Sequence, residues 1–412
     1  MRGLSIAFSI LFFLSNLAVS AQSSLDVFID SALQNNPSLV EYRNNIRISG
    51  NNKAIFLAGL KAQVGFSADM AYDPVINGYG YDDVITNGQV VSTLVNFDKE
   101  ILFREQRKPW LNSYDVKAKQ AGNQLRVFEA GLQRDITVQY LTAWGDLLQW
   151  KYNSDILESL RAEDSVLLAL TRANIYRQTD YFTFRASVKS QELAVSNAFL
   201  QYRHSLMQLR YLAGINDTTF VEITTPGLDR TPVPPRSESV FFRQFSLDSF
   251  RLKNQLQLID ISYQPSLSLH ADAGYLSSFI LNPYKNFGAG IGLKLSVPIY
   301  DGKQKELKYA NIGLLEDNNR QRESWFGKQY DLKQDRYNQM LTELKGQSVE
   351  INNQIDFYES LIDAEKRLIS SGQVDISQYF LIIRNYIDVR NESAKNLVKQ
   401  LMIINELNYL AN

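Results

Sequence analysis

The chain has 412 residues, of which 45% are hydrophobic and 21% are charged, and its formal net charge is −1. This balance, without a Lys/Arg cluster, excludes a nucleic-acid-binding surface of the usual basic kind. There is no cysteine, which excludes disulfides, thiolate chemistry and thiol-ligated metals. The only histidines are His204 and His270, so a histidine-based metal or acid–base site is not expected.

The first residues have the pattern of a secretory signal peptide. Arg2 gives a positive start, residues 4–18 are apolar, and Val19-Ser20-Ala21 places small residues where a signal peptidase cleaves. An N-terminal membrane anchor is the alternative, but the run is shorter than the roughly 18–20 residues that a spanning helix needs. We expect residues 1–21 to be removed on export, and any later membrane insertion to occur through strands.

The rest of the chain repeats one order of elements, in residues 22–213 and 238–412, on either side of a Pro-rich linker at 214–237. Each half is expected to contain a short helix, a strand pair, a very long helical stretch, a break and another helix. The long stretches cover about 104–176 and 303–369, with the breaks at 178–183 and 370–372.

Four segments alternate between apolar and polar residues, as β-strands do. They are residues 61–72, 89–98, 265–275 and 287–299. Their length suits tilted transmembrane strands. A soluble sheet is the alternative, but the two strand pairs are expected to stand apart, and an isolated pair is marginal in water. Because open edges are not tolerated in lipid, four strands need further copies of the chain to close a barrel, and three copies supply twelve.

The long helical stretches carry apolar residues at the 4-3 spacing of coiled coils. At 1.5 Å per residue each spans on the order of 100 Å, so each helix needs lateral partners along its length. An ordinary coiled coil is one interpretation; together with export and strands, a tube of helices that continues the barrel is favoured. The seam residues are Ile136, Tyr140, Ala143, Leu147, Trp150, Ser154 and Leu157, and then Tyr337, Leu341, Leu344, Ser348, Ile351, Ile355, Tyr358 and Ile362.

Four segments resemble the TolC-like outer-membrane efflux and secretion channels. They are Ser24-Leu25-Asp26 with residues 32–37, the segment from Asp135 to Leu141, residues 264–269, and residues 295–302. The resemblance implies a mainly helical homotrimer: a twelve-stranded β-barrel in the outer membrane, continued by a twelve-helix periplasmic barrel. It also implies a passive conduit that docks to an inner-membrane transporter through a periplasmic adaptor, without catalytic residues, cofactor or metal. Loops 73–88 and 276–286 would then be extracellular.

The same resemblance places the periplasmic entrance where the long helices turn back. The candidate residues there are Gln178, Thr179, Asp180, Gly372, Gln373 and Asp375. Three copies of Asp180 or Asp375 would form a cation-attracting ring; the alternative is that each aspartate caps the following helix. Some members of the resembled family carry acidic residues where this chain has Gln378 and Leu381, and some carry a Tyr and an Arg where it has Ile369 and Val374. A gate held by that ionic network is therefore not expected.

The polar strand faces are expected to line a lumen. The candidate lining residues are Gln63, Ser67, Asp69, Ser268, His270, Asp272 and Lys294. Because these residues carry charges of both signs, we expect weak charge selectivity. His270 is interpreted as a water-exposed residue of the lumen wall rather than as a metal or substrate ligand.

The leading hypothesis is thus an outer-membrane conduit for efflux or type I secretion. A periplasmic structural or adaptor coiled coil without a pore is the second hypothesis. An enzyme is the third, and no metal cluster, nucleophile motif or phosphate loop in the sequence supports it.

Overall fold

The computed structural model describes residues 24–86, 88–278, 282–369 and 371–412. In this part of the chain the fold is mainly helical with one small antiparallel sheet, as predicted. The chain divides into two compact units. A helical unit comprises the residues up to Val40, Leu125–Phe241 and Trp325–Asn412, and a strand-bearing unit comprises Glu41–Gln124 and Phe242–Ser324. The predicted signal peptide lies outside the described residues.

The helices and strands follow the order expected from the sequence. Helices α1 (Leu25–Asn35) and α2 (Pro37–Gly59) precede strands β1 (Gln63–Tyr72) and β2 (Gln89–Ile101). The long helix α3 (Arg104–Arg172) and helix α4 (Gln178–Ala213) follow. After the linker come α5 (Val240–Ser262), β3 (Ser266–Ser277), β4 (Phe287–Ser296), α6 (Gln304–Ile369) and α7 (Ile376–Leu410). Single helical turns at Asp83–Thr86 and Pro283–Lys285 lie in the loops between paired strands.

The strand-bearing unit contains one sheet with the order β1-β2-β3-β4, every pair antiparallel. The expectation that the two strand pairs stand apart is therefore wrong, because β2 pairs with β3 from Val91 to Ile101. Strand β2 also extends three residues beyond its predicted end, and Lys99, Glu100 and Ile101 continue the ladder. Strands β1 and β4 remain the unpaired edges.

Away from the two turns that join α3 to α4 and α6 to α7, contacts place four helices of the helical unit in the row α6–α7–α3–α4. Leu341 of α6 packs in one cluster with Leu407 of α7. The Nδ2 of Asn405 in α7 donates a hydrogen bond of 3.0 Å to the carbonyl of Arg134 in α3. Farther along α3, Asn153 accepts a 3.0 Å hydrogen bond from Gln191 of α4. Near the turns, α4 also contacts α7, where the ring centroids of Phe184 and Phe380 lie 5.3 Å apart.

The predicted seam of α3 forms the core of this unit. Ile136, Tyr140, Ala143 and Leu147 are at most 2% exposed and pack with Tyr202 of α4. The linker is held against this core by tyrosine hydroxyls, which donate to linker carbonyls: Tyr140 to Thr224 over 2.6 Å and Tyr202 to Val221 over 2.7 Å.

Candidate functional site

The turn between α3 and α4 follows directly from the left-handed conformation of Asn174, which has φ 60°. Its N–H donates to the carbonyl of Thr171, and the N–H of Ile175 donates to the carbonyl of Leu170, both over 3.0 Å. This pair of bonds is a Schellman motif, and asparagine is the commonest residue after glycine at its left-handed position. The break predicted at 178–183 is therefore wrong: the turn occupies residues 173–177, and Gln178 already begins α4.

The turn between α6 and α7 has the same hydrogen-bond pattern, with Gly372 at φ 73° in the left-handed position. Gly372 N–H donates to the carbonyl of Ile369 over 3.1 Å, and Gln373 N–H donates to that of Leu368 over 3.3 Å. The predicted break at this glycine is confirmed.

The two turns pack against each other within the helical unit. A Cβ atom added to Gly372 would lie 2.3 Å from Cγ2 of Ile175, so only a glycine fits this approach. Next to it, the Tyr176 hydroxyl donates a 3.1 Å hydrogen bond to the carbonyl of Ile369. Both turns therefore form one structural unit, which we call the turn pair (residues 173–177 and 371–375).

A buried polar network lies beside the turn pair. The hydroxyl of Tyr379, a fully buried residue, lies 2.8 and 2.7 Å from the two carboxylate oxygens of Glu163 and donates to this carboxylate. Lys366 forms an ion pair of 3.3 Å with Glu163 and donates to the Ser159 hydroxyl over 2.8 Å. Burial and the adjacent Glu163 carboxylate raise the pKa of Tyr379 well above its ordinary value. The network links α3, α6 and α7 through the buried Tyr379, while the side chain of Lys366 remains 37% exposed.

The candidate entrance residues lie in or directly after these turns. Gln178 and Thr179 are exposed in the first turn of α4, and Gln373 is exposed in the second turn. Asp180 accepts the N–H of Arg177 over 3.1 Å. Asp375 caps α7 by accepting the N–H groups of Ser377 and Gln378 over 2.8 and 3.4 Å. The capping interpretation of both aspartates is confirmed, and a carboxylate ring stays a prediction.

The four positions compared with the family's gate pattern in the sequence are packing or surface residues in this chain. Ile369 and Val374 are buried, 4% and 6% exposed, in the apolar cluster beside the turn pair. Gln378 is exposed, and Leu381 is 58% exposed on the first turns of α7. These positions supply apolar packing and neutral surface rather than an ionic network.

The candidate lumen residues share one face of the sheet in the strand-bearing unit. Cross-strand pairs place Gln63, Asp98, His270 and Gly292 in one row, and Ser268 and Lys294 in the next row with Glu100. His270 Nδ1 lies 2.8 Å from Asp98 Oδ1, and its Nε2 lies 3.6 Å from Asp272 Oδ1. The opposite face is apolar and highly exposed: Phe66, Met70, Tyr72, Phe287, Ile291, Leu293 and Leu295 are each at least 66% exposed.

Sequence reasoning missed two sets of residues. Asp98, at the end of the predicted strand, and Glu100, beyond it, are not among the predicted lining residues, because the charged Lys99 interrupts the alternation of apolar and polar residues. With these two carboxylates the polar face of the sheet carries four acidic groups. Its net charge is therefore more negative than the predicted lining residues alone indicate. The Tyr379–Glu163 contact joins residues 216 positions apart, and no local pattern indicates such a pair.

Neither a protein-family model nor a curated protein matches the sequence. Solved structures do match. The CmeC outer-membrane channel of Campylobacter jejuni is 14% identical, with 94% of this chain and 85% of that chain covered and a TM-score of 0.72. The outer-membrane protein VceC of Vibrio cholerae is 13% identical, with 94% and 96% covered and a TM-score of 0.72. The open state of the MtrE outer-membrane channel of Neisseria gonorrhoeae is 12% identical, with 94% and 88% covered and a TM-score of 0.74.

The chain has the TolC-like outer-membrane channel fold. The resemblance read from the sequence is thereby confirmed at the level of the fold. Two of these structural neighbours are described as outer-membrane channels and one as an outer-membrane protein.

Two absences hold for the described residues. None of their helices is both long and apolar enough to cross a membrane. They also contain no group of three or more His, Asp or Glu side chains that could hold a metal ion.

Proposed function

We propose that this chain is one subunit of a homotrimeric outer-membrane channel, a passive conduit in a tripartite efflux or type I secretion system. Three sheets would close a twelve-stranded barrel in the outer membrane, and the long helices would continue it across the periplasm. A periplasmic adaptor would link this conduit to an inner-membrane transporter. The signal peptide proposed for residues 1–21 would direct export.

The observation that carries the proposal is the chemistry of the sheet. One face presents large exposed apolar side chains on β1 and β4, with Val95 on β2, and the other presents carboxylates, hydroxyls, glycines and a lysine. A water-soluble sheet does not leave such an apolar face uncovered. In a barrel, the apolar face contacts lipid and the polar face contacts water, and joining copies satisfies the β1 and β4 edges.

The fold supports the same proposal. Similarity to outer-membrane channels extends over 94% of the chain. The turn pair, with its polar network and the Asp375 cap, would then form the mouth of the conduit.

The test uses the absence of native cysteine. Leu269→Cys and Leu293→Cys place thiols on the apolar face, and Ser268→Cys places one on the polar face between the same strands. In proteoliposomes, a charged aqueous maleimide is expected to label Ser268→Cys rapidly and the other two variants at least about tenfold more slowly. Equal, rapid labelling at all three positions would instead support the alternative, a periplasmic coiled-coil protein without a pore.

A further inference from the structure

A groove in the strand-bearing unit runs between residues 112–119 of α3 and residues 243–257 of α5. Its volume is about 580 Å³, which lies within the range of roughly 300–1,000 Å³ that is typical of small-molecule sites. Each wall is one helix face, since the lining residues recur at intervals of three or four. We call this feature the α3–α5 groove.

Three cationic side chains line the α3–α5 groove without a carboxylate partner. Lys119 of α3, and Arg243 and Lys253 of α5, are exposed, and none of them forms an ion pair with a described residue. Among the described lining residues the one carboxylate is that of Asp115, which already forms a 2.7 Å ion pair with Lys53 of α2. The groove therefore has an excess of positive charge, which attracts anions.

The α3–α5 groove also contains apolar surface. Phe250 is 60% exposed there, and Val116 lies in the opposite wall. From Arg243 to Gln257 the wall formed by α5 is about 21 Å long, at 1.5 Å per residue. A ligand that matches both the charge and the apolar surface has an acidic group joined to an apolar body of up to about this length.

A buried amide in the wall lacks one hydrogen-bond partner. Asn254 is 6% exposed, and its Nδ2 donates a 3.0 Å hydrogen bond to the carbonyl of Pro109 in α3. Its Oδ1 accepts no hydrogen bond from the described residues. A buried acceptor without a donor is unfavourable, and a water or ligand group that enters the groove can supply the donor.

The position of the α3–α5 groove leaves it open in the proposed assembly. Helix α2 contacts α3 through the Lys53–Asp115 ion pair, and Asn319 of α6 donates a 3.0 Å hydrogen bond to the carbonyl of Phe245 in α5. The open sheet edges are β1, which follows α2, and β4, which precedes α6. Copies that join through these edges do not cover a groove between α3 and α5.

We propose that the α3–α5 groove binds an amphiphilic organic anion. Its acidic group is held by Lys119, Arg243 and Lys253, and its apolar body lies against Val116 and Phe250. The groove is complete within one chain, so the inference goes beyond the proposed function and does not depend on a trimer.

The expected ligand is a free amphiphile rather than a phospholipid of the surrounding membrane. Lys253 and Arg243 lie 9 and 19 residues before the end of α5, which places them about 14 and 28 Å along the helix from the sheet. A headgroup layer is only about 5–8 Å thick on each side of a bilayer. In the proposed membrane position, headgroups therefore do not reach these cations.

The direct test uses photolabelling of the full-length protein in lipid nanodiscs. The probe is undecanoic acid with a diazirine at the end of its chain. After irradiation, labelled peptides are expected from residues 112–119 and 243–257. Decanoate should displace the probe at a concentration at least about tenfold lower than decanol, its neutral analogue, because only the acid pairs with the cations. Labelling confined to the lipid-facing side of the sheet, or equal displacement by decanol, would overturn the proposal.

Matched double variants test the role of the cations. Lys119→Gln with Arg243→Gln is expected to weaken decanoate binding at least about tenfold. Lys108→Gln with Lys117→Gln removes the same charge from exposed positions of α3 outside the groove and should change the affinity less than about twofold, because solvent screens charges there. Circular dichroism verifies that the helices of each variant are intact. Equal affinities of the two variants would refute a specific role of the groove.

Conductance measured on the same wild-type preparation separates this inference from the proposed function. A protein that conducts but does not bind decanoate would refute the groove alone. A protein that binds decanoate in the groove and never forms channels would refute the proposed function and leave the groove supported.

Discussion

Gly372 is the residue at which the smallest chemical change should have the largest effect on the turn pair. Its φ of 73° is unfavourable for any residue with a Cβ, at a cost of about 1–2 kcal/mol, and the new methyl would collide with Ile175. We expect Gly372→Ala to destabilise the turn by more than about 2 kcal/mol, seen as faster amide hydrogen exchange in residues 371–376.

The control for this substitution is Gly313→Ala. Gly313 lies inside α6, and a Cβ there meets no atom within 4 Å. Alanine should therefore stabilise the helix by up to about 1 kcal/mol. Unchanged exchange at the turn in Gly372→Ala would show that the contact with Ile175 does not constrain the turn pair.

The Tyr379–Glu163 hydrogen bond is the second feature at the residue scale. Tyr379→Phe removes the hydroxyl and leaves a carboxylate that is largely buried with Lys366 as its remaining charged partner, which should cost about 1–3 kcal/mol. Tyr181→Phe, at a partly buried tyrosine beside the same cluster, is the control and should change stability by less than half as much. Equal losses in thermal denaturation would contradict a specific role for the network.

Tyr202 makes the stability of the helical unit sensitive to alkaline pH. Burial raises its pKa to about 12, whereas the unfolded chain ionises near pH 10. Between these values the unfolded state loses a proton that the folded state retains, so stability falls as pH rises from about 10 to 12, by up to about 1.4 kcal/mol per pH unit. Tyr202→Phe is expected to weaken this dependence, while Tyr211→Phe, at an 84% exposed position, serves as control. The same pH slope in wild type and Tyr202→Phe would refute this assignment.

At the element scale, two substitutions of Asp375 at the N-terminus of α7 distinguish its role as a helix cap from a role of its negative charge. Asp375→Ala removes both hydrogen bonds to Ser377 and Gln378 and should cost about 1 kcal/mol. Asp375→Asn keeps a capping oxygen and should retain stability. If three Asp375 carboxylates also attract cations at an entrance, Asp375→Asn will lower cation conductance without destabilising the protein. Conductance equal to wild type in the asparagine variant would leave the cap as its only role.

The elements themselves were largely predictable, for physical reasons that differ between them. Strict alternation over ten residues specified β3 and β4 because one sheet face is apolar and the other polar. The 4-3 seam around Tyr140 specified α3 because that seam is buried. The turn between α3 and α4 was predicted too late in the sequence because Asn174 is a weaker turn signal than glycine. The polar and acidic residues at 178–180 resemble a helix break, although they begin α4.

At the scale of the whole molecule, the sequence could not reveal the pairing of β2 with β3 or the order of the helices in the row. Residue pairs such as Gln191 with Asn153, or Asn405 with Arg134, depend on which helices become neighbours, and local periodicity contains no information about that.

The most direct test of the central claim is single-channel recording on the purified protein in planar lipid bilayers, with its oligomeric mass measured in the same detergent. A channel subunit of this fold predicts a trimer of the chain without residues 1–21, together with stable, voltage-tolerant conductance steps. Ser268→Cys in the polar strand face should lose conductance when a bulky charged maleimide reacts with it. A monomer that leaves bilayers silent would contradict the account.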